Sequence, residues 1–233
     1  MTPSICVVVP VYNEARFVSS ALAGLIAAME EAGAPYRVLI VENGSTDGTA
    51  EAARRAAGGA PVEVSSLPDP DYGAAMRHGF LEASGDWVVN FDIDYYSAGF
   101  VRSVLSQPDD VDLVIGSKRD PGSQDKRPPL RRAATRVFNL LLRFILRSGV
   151  SDTHGVKGFR AALVDDLAPK VVSTKDLFDT ELVVRAERAG YKIVEIPVTV
   201  EEIRSAKTSL LSRAPRTVAG MIRIRRRLNE EGA

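Results

Sequence analysis

Cysteine is almost absent. Cys6 stands alone in 233 residues, so no disulfide can close within the chain, and its place inside an apolar run makes it a small core residue. That suits a reducing compartment. No uncharged apolar run approaches the roughly 20 residues needed to span a bilayer, and no basic leader precedes the short first apolar run. A cytosolic or membrane-peripheral protein is therefore expected. Internal repeats and low-complexity segments are missing, and no glycine-rich G-x-G-T-R type loop follows the first apolar run, which disfavours a nucleotidyltransferase. Histidine is nearly as scarce as cysteine: His154 sits in a polar turn, where loop structure explains it better than base chemistry, and His78 falls in a helical stretch.

Net charge is absent too, but only in sum. Residues 1–110 carry 6 Lys/Arg against 15 Asp/Glu, and residues 111–233 carry 24 against 15, balances of −9 and +9. A basic second half predicts contact with anions such as phosphates or a charged membrane surface; a solvated basic face is the alternative. Nucleic acid is not an expected partner.

What is present alternates. Ile5–Val9 is an apolar run stopped by Pro10, and Asn13 can cap a helix in which Val18, Leu22, Leu25, Ile26 and Met29 recur at helical spacing. Gly33 and Pro35 end that helix. A second buried strand over Arg37–Val41 runs into E-N-G-S-T-D-G-T, a sharp turn with Ser45, Thr46 or Asp47 as cap of a helix to about Ala57. A short strand at Val62–Val64, a helix at Tyr72–Ala83, a strand at Trp87–Phe91, a helix at Ala98–Leu105 and a strand at Asp112–Ile115 follow. Strand–helix alternation predicts an α/β protein with a mostly parallel, doubly wound central sheet flanked by helices. Ligands bind such sheets at the carboxyl ends of the strands, where Asn13/Glu14, Glu42/Asn43, Asp92/Asp94 and Ser117/Lys118 all fall.

The stretch Trp87–Tyr96, W-V-V-N-F-D-I-D-Y-Y, is the centre of this pattern. If the strand continues through Asp92 and Asp94, their side chains point the same way. Two like charges at one strand end are costly unless a cation lies between them. A hard divalent ion with oxygen ligands, Mg²⁺ or Mn²⁺, shared with a phosphorylated ligand, is the natural candidate; a solvated loop with two acids is the other.

After Lys118 the character changes. Asp120–Pro129 reads as a loop or lid. Arg131–Arg147 is amphipathic, with Arg132, Arg136, Arg143 and Arg147 on one helical face, and is too charged and short to span. It is either a core-facing helix with a basic outer face or a helix lying on an anionic membrane surface. Ser151–Arg160 reads as a polar turn leading into a short helix, Phe178–Leu182 opens a further helix ended by Gly190, and Lys192–Val200 is a last strand. From Ile203 to Leu228 there are eight basic residues and no acid, with an apolar stripe, a second basic amphipathic helix.

Six motifs occur in order: V-V-V-P-V-Y-N-E (Val7–Glu14), V-E-N-G-S-T-D-G-T (Val41–Thr49), F-D-I-D (Phe91–Asp94), G-S-K-R (Gly116–Arg119), G-V-K-G-F-R (Gly155–Arg160) and F-D-T-E-L (Phe178–Leu182). Together they resemble the family 2 glycosyltransferases of GT-A (Rossmann-like) fold, in particular the dolichyl- or polyprenyl-phosphate mannosyl- and glucosyltransferases, over residues 5 to about 210. The resemblance implies one GT-A domain over residues 1–233. Residues 1–119 form its nucleotide-sugar half, 120–210 its acceptor side and 211–233 a basic amphipathic C-terminal helix. Pro10, Tyr12 and Glu14 would line the nucleoside pocket. Glu42 and Asn43 stand where the family usually has two aspartates, which leaves the base open. Asp92 would face ribose and sugar with Ile93 beside it, and Asp94 would hold Mg²⁺ or Mn²⁺ on the diphosphate. Tyr96 stands where relatives often place a metal-binding Gln. Lys118, Arg119, Arg204 and Lys207 would grip phosphates. A phosphate acceptor needs no general base; a hydroxyl acceptor does, and Asp179 or Glu181 is the candidate. The expected reaction is metal-dependent hexosyl transfer, from GDP-mannose or UDP-glucose, to a polyprenyl phosphate at the cytoplasmic membrane face. A soluble hydroxyl acceptor and a catalytically silent sugar-nucleotide binder are the rivals.

Overall fold

The first apolar run forms β1 (Ile5–Val11), and the chain then builds outward from it in both directions. The computed structural model describes residues 2–117, 124–125, 129–151, 153, 155–200 and 210–231. Helices α1 (Val18–Ala32) and α2 (Thr49–Ala57) return the chain to strands β2 (Tyr36–Asn43) and β3 (Val62–Leu67), which lie parallel to β1 on one side. Helix α3 (Tyr72–Glu82) crosses to β4 (Trp87–Asn90) on the other side, and α4 (Ala98–Leu105) leads to β5 (Leu113–Ser117). A two-residue strand β6 (Gln124–Asp125) follows, and α5 (Pro129–Leu141) continues as a π-helical turn, Leu142–Leu146. After β7 (Lys157–Arg160) come α6 (Ala161–Leu167), α7 (Phe178–Arg188), β8 (Ile193–Pro197), β9 (Thr199–Val200) and α8 (Leu210–Glu231). The seven-stranded sheet has the order β3-β2-β1-β4-β7-β5-β8, and β6 pairs β9 separately.

The expectation of a mostly parallel sheet holds, with one strand the sequence reading did not place. Residues 157–160 form β7, antiparallel to both β4 and β5, in the middle of the sheet. K-G-F-R lacks alternation and β-branched residues, so nothing local marks it as a strand. Its place is set by tertiary fit: a Cβ on Gly158 would fall 2.7 Å from Val104 Cγ2, so only glycine lets α4 lie this close. Asn13 is a second difference. It adopts φ 51 and does not cap α1, whose first turn follows Phe17 without a side-chain cap.

Both faces of the sheet are covered, as parallel strands require. Side chains of α1, α2 and α4 pack one face around Leu22, Phe91 and Phe100. Those of α3, α6 and α7 pack the other around Phe80, Phe159 and Phe178, whose rings meet edge to face at 5.3 and 5.5 Å. A third, smaller cluster joins Leu142 and Leu146 to Val184 and to Met221, Ile224 and Leu228 of α8. Arg225 reinforces this junction by donating from Nη1 to the Ile145 carbonyl at 3.0 Å, one of the orphan acceptors at that helix end.

One contact carries an expected result. Tyr96 packs on α1 at Gly24, where an added Cβ would lie 2.0 Å from the Tyr96 Oη. Alanine in a helix interior ordinarily gains about 1 kcal/mol over glycine. Here Gly24→Ala is expected to destabilise by roughly 1–3 kcal/mol in urea titration, because the ring has to leave its seat. Combining it with Tyr96→Phe, which removes the nearest atom, should recover part of the loss.

Candidate active site

The loops after β1 and β2 are stitched together by side chains. Asn13 and Glu14 donate their backbone N–H groups to Ser45 Oγ at 2.9 Å and Thr49 Oγ1 at 2.8 Å, and Ala15 donates to Asp47 Oδ2 at 3.1 Å. In return Thr46 N–H donates to Asn13 Oδ1 at 3.0 Å. The positive φ of Asn13 turns its side chain to this use. The Thr49 hydroxyl bond is the main reason the Asp47 carboxyl is held below the usual carboxylate range. Tyr12 stands 44% exposed at the lip, with Pro10 and Glu14 half-buried beside it.

Glu42 and Asn43 are turned inward, at 4% and 6% exposure. Glu42 accepts the Ser45 N–H through Oε1. Asn43 Oδ1 accepts the Asp71 N–H at 2.7 Å, which leaves its amide nitrogen without a partner among the described residues. Asp71 in turn caps α3, accepting from Ala74 N at 3.0 Å, and also holds Lys175 N at 2.8 Å.

Strand alternation does not align Asp92 with Asp94: β4 ends at Asn90, and residues 92–95 form a turn in which Tyr95 N–H donates to Asp92 O at 3.0 Å. The Phe91 and Ile93 side chains anchor that turn in the core, so Ile93 can offer a ligand only backbone. Asp92 is exposed and Asp94 half-buried at the carboxyl end of the strand. Tyr96 is directed at α1, as its contact with Gly24 shows. Burial raises the Tyr95 phenol above its ordinary range, which keeps it a neutral hydroxyl. Among the described residues no group of three or more His, Cys, Asp or Glu could hold a metal by itself. Two accessible carboxylates on one tight turn still suit a hard cation that completes its shell with phosphate oxygens and water.

Lys118, Arg119, Arg204 and Lys207 lie outside the described residues, as does His154. Asp179 is placed on α7 at 4% exposure, its Oδ2 accepting from the Tyr72 hydroxyl at 3.0 Å and lying 3.7 Å from Lys157 Nζ. Lys157 is fully buried and donates to the Gly155 carbonyl at 2.6 Å. Asn90, its cross-strand partner, and Asp179 each keep one buried oxygen, Oδ1, with no partner among the described residues. Sequence reasoning missed Lys157, Tyr72 and Asn90: a lysine next to glycine in a polar stretch looks solvated. Glu181 has both oxygens engaged, Oε2 by the Ser173 N–H at 2.8 Å and Oε1 by Arg185 Nε at 2.9 Å.

A second network fixes the chain before β7. Glu195 accepts from both the N–H and the hydroxyl of Ser151, Ser117 and Ser151 share a hydrogen bond at 2.8 Å, and Asn139 Nδ2 donates to the Ser151 carbonyl. Helix α5 is thereby tied to the edge of the sheet that carries the candidate site.

Comparison with known proteins matches these features to a class. Glucosyl-3-phosphoglycerate synthase from Mycobacterium tuberculosis, solved with Mn²⁺, UDP and phosphoglyceric acid, superposes with a TM-score of 0.73 at 21% identity, over 96% of this chain and 78% of that one. Mannosyl-3-phosphoglycerate synthase from Rubrobacter xylanophilus superposes with a TM-score of 0.71 at 21% identity, over 99% and 75%. The architecture is therefore the GT-A glycosyltransferase fold. The family model for glycosyl transferase family 2 matches residues 6–167, and the chain belongs to that family. An uncharacterised glycosyltransferase of Mycobacterium tuberculosis is 34% identical over 198 residues, 84% of each chain. Glycosyltransferase AglD of Haloferax volcanii is 31% identical over 228 residues, 93% of this chain; the chain spans about a third, 35%, of AglD's length. Among the described residues no helix is long and apolar enough to cross a membrane.

Proposed function

We propose that the chain transfers a hexose from a nucleotide sugar, UDP-glucose or GDP-mannose, to a polyprenyl phosphate at the cytoplasmic face of a membrane, with Mg²⁺ or Mn²⁺ as cofactor. The observation that carries this reading is the carboxyl edge of the sheet, where Tyr12, Glu42, Asn43, Asp92 and Asp94 share one rim. On it, residues 1–119 take the donor and 120–210 face the acceptor, with Pro10, Tyr12, Glu14 and the free amide nitrogen of Asn43 at the nucleoside. Asp92 and Asp94 would hold the cation. When bound, it neutralises charge that develops on the leaving diphosphate. The family resemblance assigns Lys118 or Arg119, with Arg204 and Lys207, to phosphates of the donor or the acceptor. Metal binding by related folds solved with Mn²⁺ or Mg²⁺ beside UDP supports the cofactor.

Two observations support a lipid phosphate as acceptor. The solvent side of residues 132–147 carries Arg132, Arg136, Arg143 and Arg147 next to exposed Val137, Leu140 and Phe144, the last 77% exposed. Arginine beside unpartnered apolar side chains suits a helix at a headgroup boundary. Asp179, meanwhile, is shut from solvent and already paired with Lys157, a poor position from which to take a proton from an incoming hydroxyl. A phosphate acceptor arrives ionised, so Asp179 serves here by fixing Lys157 and Tyr72 under the site. A second reading, transfer to the hydroxyl of a small phosphorylated acid, draws on the likeness to enzymes solved with phosphoglyceric acid.

Nucleoside diphosphate release, measured with each donor and Mn²⁺ against a polyprenyl phosphate in detergent and against 3-phosphoglycerate, tests both. Product that partitions into organic solvent is expected. Transfer to phosphoglycerate alone would replace the lipid acceptor, and donor binding without release from either would leave a silent binder. For the membrane face, Arg136→Glu with Arg143→Glu is expected to weaken sedimentation with anionic vesicles at least about thirtyfold, from roughly 1 kcal/mol for each arginine lost before the added repulsion of the glutamates. Unaltered sedimentation would return this helix to a purely core-packing role.

A further inference from the structure

The segment 172–177 is held between α3 and α8: a Cβ on Gly73 would meet Lys175 N at 2.7 Å, and one on Gly220 would meet Leu177 Cδ1 at 2.1 Å. Between this segment and α8 opens a groove of about 630 Å³. Leu177 and Ile224 line it with apolar surface, and Ser173, Thr174, Arg223 and Arg226 with polar groups. Arg227 and Glu231, also at the groove, satisfy each other at 3.1 Å. Arg223 and Arg226 are exposed and have neither a hydrogen bond nor an ion pair among the described residues. Three positions apart on a helix, they share a face. Glu230 also lines the groove, so outside the Arg227–Glu231 pair two unpaired guanidinium groups stand against one carboxylate, and with two hydroxyls opposite they leave a net positive site for an anion. Phosphate fits them best, since guanidinium forks match its oxygens and serine or threonine hydroxyls can donate to the rest.

We propose that the groove between residues 172–177 and α8 binds a phosphate group, the chemistry shared by a lipid headgroup and a free phosphomonoester, through Arg223 and Arg226. The site is separate from the sheet edge and does not depend on which acceptor the transferase uses. Its occupant would brace a segment that also walls the nucleotide cleft. Ser173 N–H is held by Glu181 at 2.8 Å, Lys175 N–H by Asp71 at 2.8 Å, and Asp71 N–H by Asn43 at 2.7 Å.

Isothermal calorimetry of the full chain with inorganic phosphate, with and without UDP and Mn²⁺, and flotation with phosphatidylcholine vesicles containing or lacking phosphatidylglycerol test this. In R223Q/R226Q the half-saturation for one probe is expected to rise at least about tenfold, the scale of losing charge-assisted phosphate bonds. Loss of inorganic phosphate binding assigns the groove to a free phosphate; loss confined to phosphatidylglycerol vesicles assigns it to a headgroup. The inference is overturned if neither probe distinguishes the double variant from the parent, or if UDP displaces the phosphate competitively. Both arginines are exposed, so the substitutions leave the fold intact. Vesicle binding through the 132–147 face is read separately, from Arg136 and Arg143 with Arg223 and Arg226 in place.

Discussion

Asp94→Ala is expected to abolish the Mn²⁺ dependence of donor binding and to slow hexosyl transfer on the order of a thousandfold, equivalent to about 4 kcal/mol of lost charge stabilisation. The effect should be chemical and not structural. The turn at residues 92–95 is closed by a backbone bond from Tyr95 N to Asp92 O and anchored by the Phe91 and Ile93 side chains, none of which the substitution touches. Stability should therefore stay within about 0.5 kcal/mol of the parent. Asp92→Ala, at the exposed corner, is expected to cost less metal affinity and more sugar discrimination, since the family resemblance sets it toward ribose and sugar. Calorimetry of the nucleotide sugar with and without Mn²⁺ reads both. An Asp94→Ala protein whose donor affinity still responds to Mn²⁺ would remove the D-I-D turn from the metal assignment.

The edge of the sheet that matters was readable because apolar runs stop there. Tyr36–Asn43 and Trp87–Asn90 end in polar residues and Ile5–Val11 is followed by Asn13 and Glu14, and parallel order puts those ends together. What could not be read depended on partners distant in the chain. Lys157–Arg160 becomes a strand only because β4 and β5 offer it two edges and Gly158 admits Val104. Asn13 had the residue type of a helix cap, but the loop 43–49 offered its side chain a better donor, Thr46 N–H. Alternation was the wrong rule for Asp92 and Asp94, since a turn replaces the strand just before them. The burial of Lys157 against Asp179 has no local signal at all, because charge is visible in a sequence and the wall that encloses it is not.

Arg185→Ala is expected to cost roughly 3–5 kcal/mol of global stability, the scale of a buried ion pair broken from one side. Arg185 is 5% exposed and joins two acids: its Nη2 lies 2.8 Å from Glu181 Oε1, and its Nη1 lies 2.5 Å from Glu231 Oε2 on α8. Glu181 is fully buried, so without the guanidinium only the Val172 and Ser173 N–H groups would compensate its charge. Replacing Glu231 by Gln should cost far less, because that carboxylate is 41% exposed and water can take over. Acid separates the two. The Glu231 carboxyl is held below its ordinary value of 4.5, first by the Arg185 hydrogen bond. A depressed carboxyl contributes stability that is complete above the unfolded value and is lost as pH falls through the folded one. Docking of α8 should thus weaken below about pH 4.5 in the parent, read as proteolytic cleavage near residues 210–231, and lose that acid step in Arg185→Ala. Because Glu181 also holds the segment that reaches Asp71 and Asn43, the same substitution should lower donor affinity although Arg185 lies outside the cleft. Unchanged donor affinity alongside the full stability loss would separate the C-terminal helix from the nucleotide site and confine the Glu181–Arg185–Glu231 clamp to holding the fold.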